Sequence, residues 1–281
     1  MFSLSLKSLI NRFTIYQYMI FFLVVLNLAS AFFYDFGVKA LIQVLIVTIA
    51  TMILDLLIEH FKSKSWLFPQ SALISGLFIG GLLTQGLHWY IYVFAGAVAI
   101  LSKHIIKFQQ KHIFNPANFG ILLASIFFGA AHTWWISSPL ILVLIFGIFM
   151  IWRLKRFDLA VSFLIAYYFI NSIIEFAKGG SLNDVYLTII NGGVVYFFSM
   201  FMLVEPKTHP TGKRQKIVYG ILVAVLLVIL TQYPLFYKNT ISTFFTRNSI
   251  PLALAIGNMF VPILNKMKFD FVKKQNPETS L

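Results

Sequence analysis

The chain has 281 residues, of which 59% are hydrophobic and only 11% charged, with a mean hydropathy of +0.85. A soluble domain carries about a quarter charged residues, so a soluble globule is excluded. The net charge of +13 is dispersed as short clusters between apolar runs, which argues against a nucleic-acid partner and for a lipid bilayer. There is no cysteine, so disulfides, thiolate zinc sites and iron–sulfur clusters held through Cys are excluded.

Residues 1–15 place Phe2, Leu6, Leu9, Ile10 and Phe13 at helical spacing, which predicts a short helix lying at the membrane interface. Ten apolar segments follow: 16–33, 38–58, 71–84, 88–106, 115–130, 133–152, 158–176, 184–204, 216–232 and 249–265. Lys7 and Arg12 ahead of the first run, with Ala29-Ser30-Ala31 after it, also fit a signal peptide. Retention of the first span is preferred, because its removal leaves an odd number of spans. Of the 22 Lys and Arg residues, 18 fall in six stretches that alternate along the chain. Two of these are Arg153, Lys155 and Arg156, and Lys207, Lys213, Arg214 and Lys216. Cytoplasmic loops retain Lys and Arg, so both termini are expected in the cytoplasm, with the protein in the cell (inner) membrane.

The expected fold is an all-α polytopic bundle of about ten transmembrane helices, one integral domain over residues 16–266, followed by a cytoplasmic tail, 267–281. Its halves run over about 16–130 and 133–265. An odd-numbered half that is duplicated inserts upside down relative to its twin, so an inverted repeat with a midplane site is allowed. Segments three and five are shorter than the about 20 residues a crossing needs. Both a broken helix lining a central site and a tightly packed tilted helix are open.

Three segments carry candidate chemistry. In Ser71-Ala-Leu-Ile-Ser-Gly-Leu-Phe-Ile-Gly-Gly81, following Pro69, Ser71 and Ser75 lie one helical turn apart, and Gly76 opens the backbone. Helix packing and contact with a planar ligand both fit that pattern. In His112-Ile-Phe-Asn-Pro-Ala-Asn-Phe-Gly120, Asn115 is a natural N-cap and Pro116 suits the first helical turn. The resulting helix start suits a carbonyl-rich or anionic ligand. Water channels carry Asn-Pro-Ala twice; this chain carries it once. The third segment ends the eighth span with Glu205, Pro206, Thr208, His209 and Pro210. Glu205 is placed to pair with Lys207 or the basic loops, and His209 reads as an ordinary interface residue. No second His or carboxylate stands at metal-ligand spacing there, so no metal is assigned. Asp55 and Glu175 lie near span ends, which favours the headgroup region, and Asn171 reads as a buried hydrogen-bond partner.

In this order the segments resemble the NqrB/RnfD family, the membrane subunits shared by the sodium-pumping NADH:quinone reductase and the Rnf electron-transport complex. The likeness rests on Ser71–Leu77, Phe114–Gly120, Phe201–Pro210 with Lys213–Gly220, and Gly257–Pro262. It covers roughly residues 35–266. The resemblance implies two inverted five-helix halves, similar to urea transporters, and a bound flavin, FMN or riboflavin. It places Ser71, Ser75, Gly76, Asn115, Pro116, Asn118, Gly120, Glu205 and Thr208 near that flavin. It also implies quinone, other electron-transport subunits and an FMN-binding extracytoplasmic protein as partners. The family esterifies FMN to Thr in a Ser-Gly-Ala-Thr motif between spans seven and eight. Here that loop reads Lys178-Gly-Gly-Ser-Leu-Asn-Asp184, so no covalent flavin is expected and any flavin is held non-covalently.

Three functions fit these features. The first is a flavin-dependent electron-transport subunit, with Asp55, Glu175 and Glu205 as candidates for ion coupling. The second is a small-solute transporter or channel using a urea-transporter-like core, and the third is a non-catalytic assembly subunit. The chain has no NADH fingerprint and is not a stand-alone NADH dehydrogenase.

Overall fold

The structure is a computed structural model that describes residues 12–64, 66–232 and 240–267. The expected interfacial helix falls almost wholly outside the described residues, as does the tail beyond 267. All ten apolar segments are helical. In chain order they are α1 (Ile15–Phe33), α2 (Gly37–Ser63), α3 (Gln70–Leu82), α4 (Trp89–Ile105), α5 (Pro116–Phe128), α6 (Leu140–Leu154), α7 (Phe157–Ala177), the broken pair α8 (Leu182–Ile190) and α9 (Gly193–Phe197), α10 (Lys213–Gln232), a short α11 (Thr240–Arg247) and α12 (Ser249–Lys266). Five of these are long and apolar enough to cross a membrane. Counting the α8–α9 pair, with the π-helical turn Phe198–Met202 that continues it, as one span makes six. The protein is thus an all-α polytopic membrane protein.

Local chemistry fixes several helix ends. Thr14 and Gln17 form a capping box at the start of α1, and Ser181 and Asp184 form another at α8. Each satisfies backbone donors that would otherwise lack partners. Lys64, Gly129 and Lys155 end α2, α5 and α6 in the left-handed conformation. Between α4 and α5 a minimal hairpin pairs Lys107–Phe108 with Lys111–His112. Its two turn residues, Gln109 and Gln110, both have positive φ, as a tight hairpin requires.

The helix contacts follow one plan twice. In the first half α1 packs on α3, α2 on α3 and α4, and α4 on α5. In the second half α6 packs on α9, α7 on the π-helical turn and α10, and α10 on α12. Across the halves α1 meets α6 and α5 meets α12, while Phe78 of α3 makes an edge contact with Phe197 of α9. Three of the seam contacts thus join helices that hold the same place in the two halves, while α1 and α3 also meet the turn Trp135–Ser137.

Lipid supplies no hydrophobic drive between helices, so close approach and interhelical hydrogen bonds hold them. Gly76 shows the first: a Cβ there would come within 2.5 Å of the Thr48 Cα on α2. Thr51 Oγ1 donates to the Ala72 carbonyl at 3.0 Å, Gln43 Nε2 to the Gly80 carbonyl at 2.9 Å, and Trp135 Nε1 to the same carbonyl at 3.0 Å.

Candidate functional site

A cavity of about 290 Å3 lies on the seam between the halves. Its apolar walls come from Met19 of α1, Phe78 of α3, Leu154 of α6 and Phe201 of the π-helical turn. Its polar lining is Ser71, Ser75, Lys103, His112, Asn115, Glu205 and Lys207. Local folding delivers each of these. Pro69 ends the extended approach to α3, putting Ser71 and Ser75 on its first turns. Asn115 caps α5 by accepting from the Asn118 backbone N–H at 3.0 Å, with Pro116 as the first helical residue. The positive end of α5, at Ala117, thus faces the cavity.

Five of the nine residues expected at the site line this cavity: Ser71, Ser75, Asn115, Pro116 and Glu205. The other four stand apart for physical reasons. Gly76 is taken up by the contact with Thr48. Gly120 faces the Ala95 carbonyl of α4 so closely that no Cβ fits. Asn118 turns away to α12, where Nδ2 donates to the Pro251 carbonyl at 2.9 Å. Thr208 lines a neighbouring cavity of about 280 Å3, which shares His112 and Lys207 with the first.

The partition between the two cavities is His112 against Glu205, with Nε2 and Oε1 3.0 Å apart. Thr208 Oγ1 lies 3.4 Å from the other carboxylate oxygen. The acid of the third motif therefore pairs with the histidine that opens the second, delivered by the Gln109–Gln110 hairpin, rather than with Lys207. Asn258 of α12 ties these pieces together. Its Nδ2 donates to the Thr208 carbonyl at 2.7 Å and lies 2.8 Å from the Tyr219 hydroxyl, while its Oδ1 accepts from the Asn115 N–H at 3.3 Å.

On the other wall Lys103 Nζ donates to both Asp55 carboxylate oxygens at 2.9 Å and to Ser71 Oγ at 2.6 Å. His104 Nε2 donates to Asp55 Oδ1 at 2.7 Å, and Lys62 Nζ donates to its Nδ1 at 3.1 Å. Asp55, near the end of its span, is 3% exposed and fully partnered within the protein. Ligand atoms of Asp55, Glu59 and His104 lie within 4.8 Å of one another, a juxtaposition of α2 and α4 that no sequence spacing displays. Lys103 already answers the Asp55 carboxylate and Lys62 occupies His104 Nδ1, so two of the three donor groups are engaged. Lys103, His112 and Asn258 are the site residues that sequence reasoning missed as such; in the sequence Lys103 carries only a topology signal.

His209 is also drawn into the protein. It is 4% exposed, accepts from Arg156 Nε at 2.8 Å and donates from Nδ1 to the Pro210 carbonyl at 2.7 Å. Burial, reinforced by the Arg156 and Lys216 charges, brings its pKa down to about 4. Asn171 donates to the Tyr167 carbonyl of its own helix at 2.8 Å and is half-buried.

Residues 9–139 match the NQR2, RnfD, RnfE family. A stretch of 123 residues, 41% of this chain, is 30% identical to the D subunit of the ion-translocating oxidoreductase complex of Buchnera aphidicola subsp. Schizaphis graminum. That stretch spans 35% of the relative's length. The first two motif segments lie inside the matched region, and the third, Phe201–Pro210, lies beyond it. The likeness read from the motifs therefore extends over helices α1 to α5 and the connection after them: residues 9–139 are similar to the NQR2, RnfD, RnfE family.

Proposed function

We propose that this chain is a membrane subunit of an ion-translocating oxidoreductase complex, and that the seam cavity holds a flavin non-covalently. The observation that carries the reading is the cavity itself, which gathers Ser71, Ser75, Asn115 and Glu205 from three separate motifs against apolar walls. Small-ligand sites occupy about 300–1,000 Å3 with mostly apolar lining and a few placed polar groups. At about 290 Å3 this one falls just below that range, a size for a ring system and not for a dinucleotide.

The residues present fit such a ring. Met19, Phe78 and Phe201 supply apolar faces. Ser71 Oγ accepts from Lys103, which aims its own proton elsewhere and leaves it free to donate to a ligand. The Ala117 N–H at the start of α5 and the second proton of Asn115 Nδ2 are further donors. A bound flavin supplies one- and two-electron chemistry that no side chain here offers. The protein's share is to exclude water, orient the ring and hold its polar edge. The Asp55–Lys103 pair fixes Ser71, while the His112–Glu205 pair closes the wall toward the second cavity.

The two halves are read as inverted repeats, since the same five-helix contact plan recurs and an odd count reverses the second insertion. Electron exchange with a quinone, or with an extracytoplasmic FMN-binding protein, is the corresponding role of the complex.

Gentle detergent extraction followed by absorbance and mass spectrometry tests the assignment. Flavin is expected in intact protein and in the supernatant after acid precipitation. Ile74→Trp, which fills the cavity, is expected to lower the flavin content by about tenfold or more, as loss of a well-packed site does, while melting no lower than wild type stripped of flavin. Intact, active protein with no flavin that carries solute flux in proteoliposomes would instead establish the transporter reading.

A further inference from the structure

A second, open groove of about 870 Å3 lies where the ends of α6, α7 and α10 meet. Its floor is apolar: Trp152, Phe157, Val161, Ile165 and Ile217. Phe157, Val161 and Ile165 are spaced one turn apart and are 44%, 42% and 65% exposed, respectively. Phe169 and Ile173 continue the same exposed stripe along α7. At its end the groove is rimmed by Arg153, Lys155 and Lys213.

The rim charges stand without local answers. Among the described residues, none of these three side chains has an ion-pair partner, and Arg153 Nε is buried with no hydrogen-bond partner at all. Lys213 opens α10, whose first turn contains no acid, so a cation stands where the helix dipole disfavours it. The one acid in the groove, Asp158, is directed at Lys216, 3.6 Å away. The third cation at the α6–α7 connection, Arg156, is already bonded to His209. What remains is a site for a phosphate bonded to long apolar chains. A basic pocket between helix ends above an apolar groove recognises such headgroups.

We propose that this groove binds an anionic phospholipid, with its phosphate among Arg153, Lys155 and Lys213 and its acyl chains laid along the Phe157–Val161–Ile165 face of α7. The site is separate from the seam cavity and does not depend on the flavin assignment.

Trp152 reports on it directly. The full chain is reconstituted with brominated phosphatidylglycerol or brominated phosphatidylcholine at equal mole fraction. The Trp152 emission is taken as the difference between wild type and Trp152→Phe. Brominated phosphatidylglycerol is expected to quench it with at least about fivefold higher apparent affinity, and the Arg153→Gln/Lys155→Gln/Lys213→Gln triple variant to equalise the two lipids. Equal quenching in the wild type overturns the proposal without reference to any variant. Relief of the quenching by millimolar glycerol phosphate overturns it too, because the site would then recognise a soluble phosphate ester. A preference that survives in the triple variant, shown folded by its melting curve, overturns the assignment of these three residues.

Discussion

The third helix of each half occupies the same place in the contact plan and is held in a different way. In the first half α3 is one rod of 13 residues with nine of them buried, Ala72, Ser75, Gly76, Leu77, Phe78, Ile79, Gly80, Gly81 and Leu82. Its small residues admit α2 on one side, and Gln43, Thr51 and Trp135 bond to its carbonyls. In the second half the equivalent segment starts as α8, which buries none of its residues, and bends by 50° before α9. Only from Val195 through Val204 is it packed in the core. The difference teaches that one plan of neighbours can be met by a helix locked along its length or by one anchored at a single end. The cavity sits between the locked helix and the anchored end.

The contrast is broken most severely at Asp55. Removing one partner of a buried charge pair costs about 3–5 kcal/mol, so Asp55→Ala, which strands Lys103, is expected to give the largest drop in thermal stability in detergent. The double variant Asp55→Leu/Lys103→Met is expected to recover much of that loss, and failure to recover would show that the pair has a role beyond charge balance. Gly120→Val comes next. Its Cβ alone meets the Ala95 backbone carbonyl, and overpacking costs about 1–3 kcal/mol or more, read as an earlier melting transition.

A smaller effect is set by pH and involves both halves. His132 sits in the connection after α5, and burial together with Arg247 lowers its pKa to about 4, as burial does for His209 in the second half. Both are neutral in the fold. Their contribution to stability is complete above the unfolded value of about 6.5 and is lost as pH falls from there toward 4, because the unfolded chain then binds more protons. Melting temperature is expected to decline across that window, and His209→Asn to flatten the decline. The smallest effect is expected from Ser181→Ala. Loss of a cap costs about 1 kcal/mol, but α8 buries nothing. Amide exchange over 182–190 should therefore quicken with no change in global melting.

The spans were legible because apolar length and the alternation of basic clusters are one-dimensional signals. Asn115 and Pro116 were legible as a helix start, since capping is local in sequence. Asn191-Gly192-Gly193 marks the break between α8 and α9 in plain composition, yet the segment reads as one span by hydropathy alone. The Asp55–Lys103–His104 cluster was not legible: its members are 48 and 49 positions apart on two helices, and only the packing of α2 on α4 joins them. Gly76 was legible as a point of close approach, which packing meets with Thr48 of α2, whereas Gly120 was named only through the family resemblance and its Ala95 contact could not be read from sequence. Nothing in Phe198–Met202 announces a π-helical turn.

The seam cavity takes one wall from α1, α3 and the start of α5 and the other from α6 and the exit of α9. Neither half encodes it alone. Its two walls therefore carry different chemistry: Ser71 and Ser75 stand on the side of the first half, Phe201 and Glu205 on the side of the second. A molecule held between them meets a hydroxyl-bearing face on one side and a carboxylate on the other, so the chamber has a front and a back.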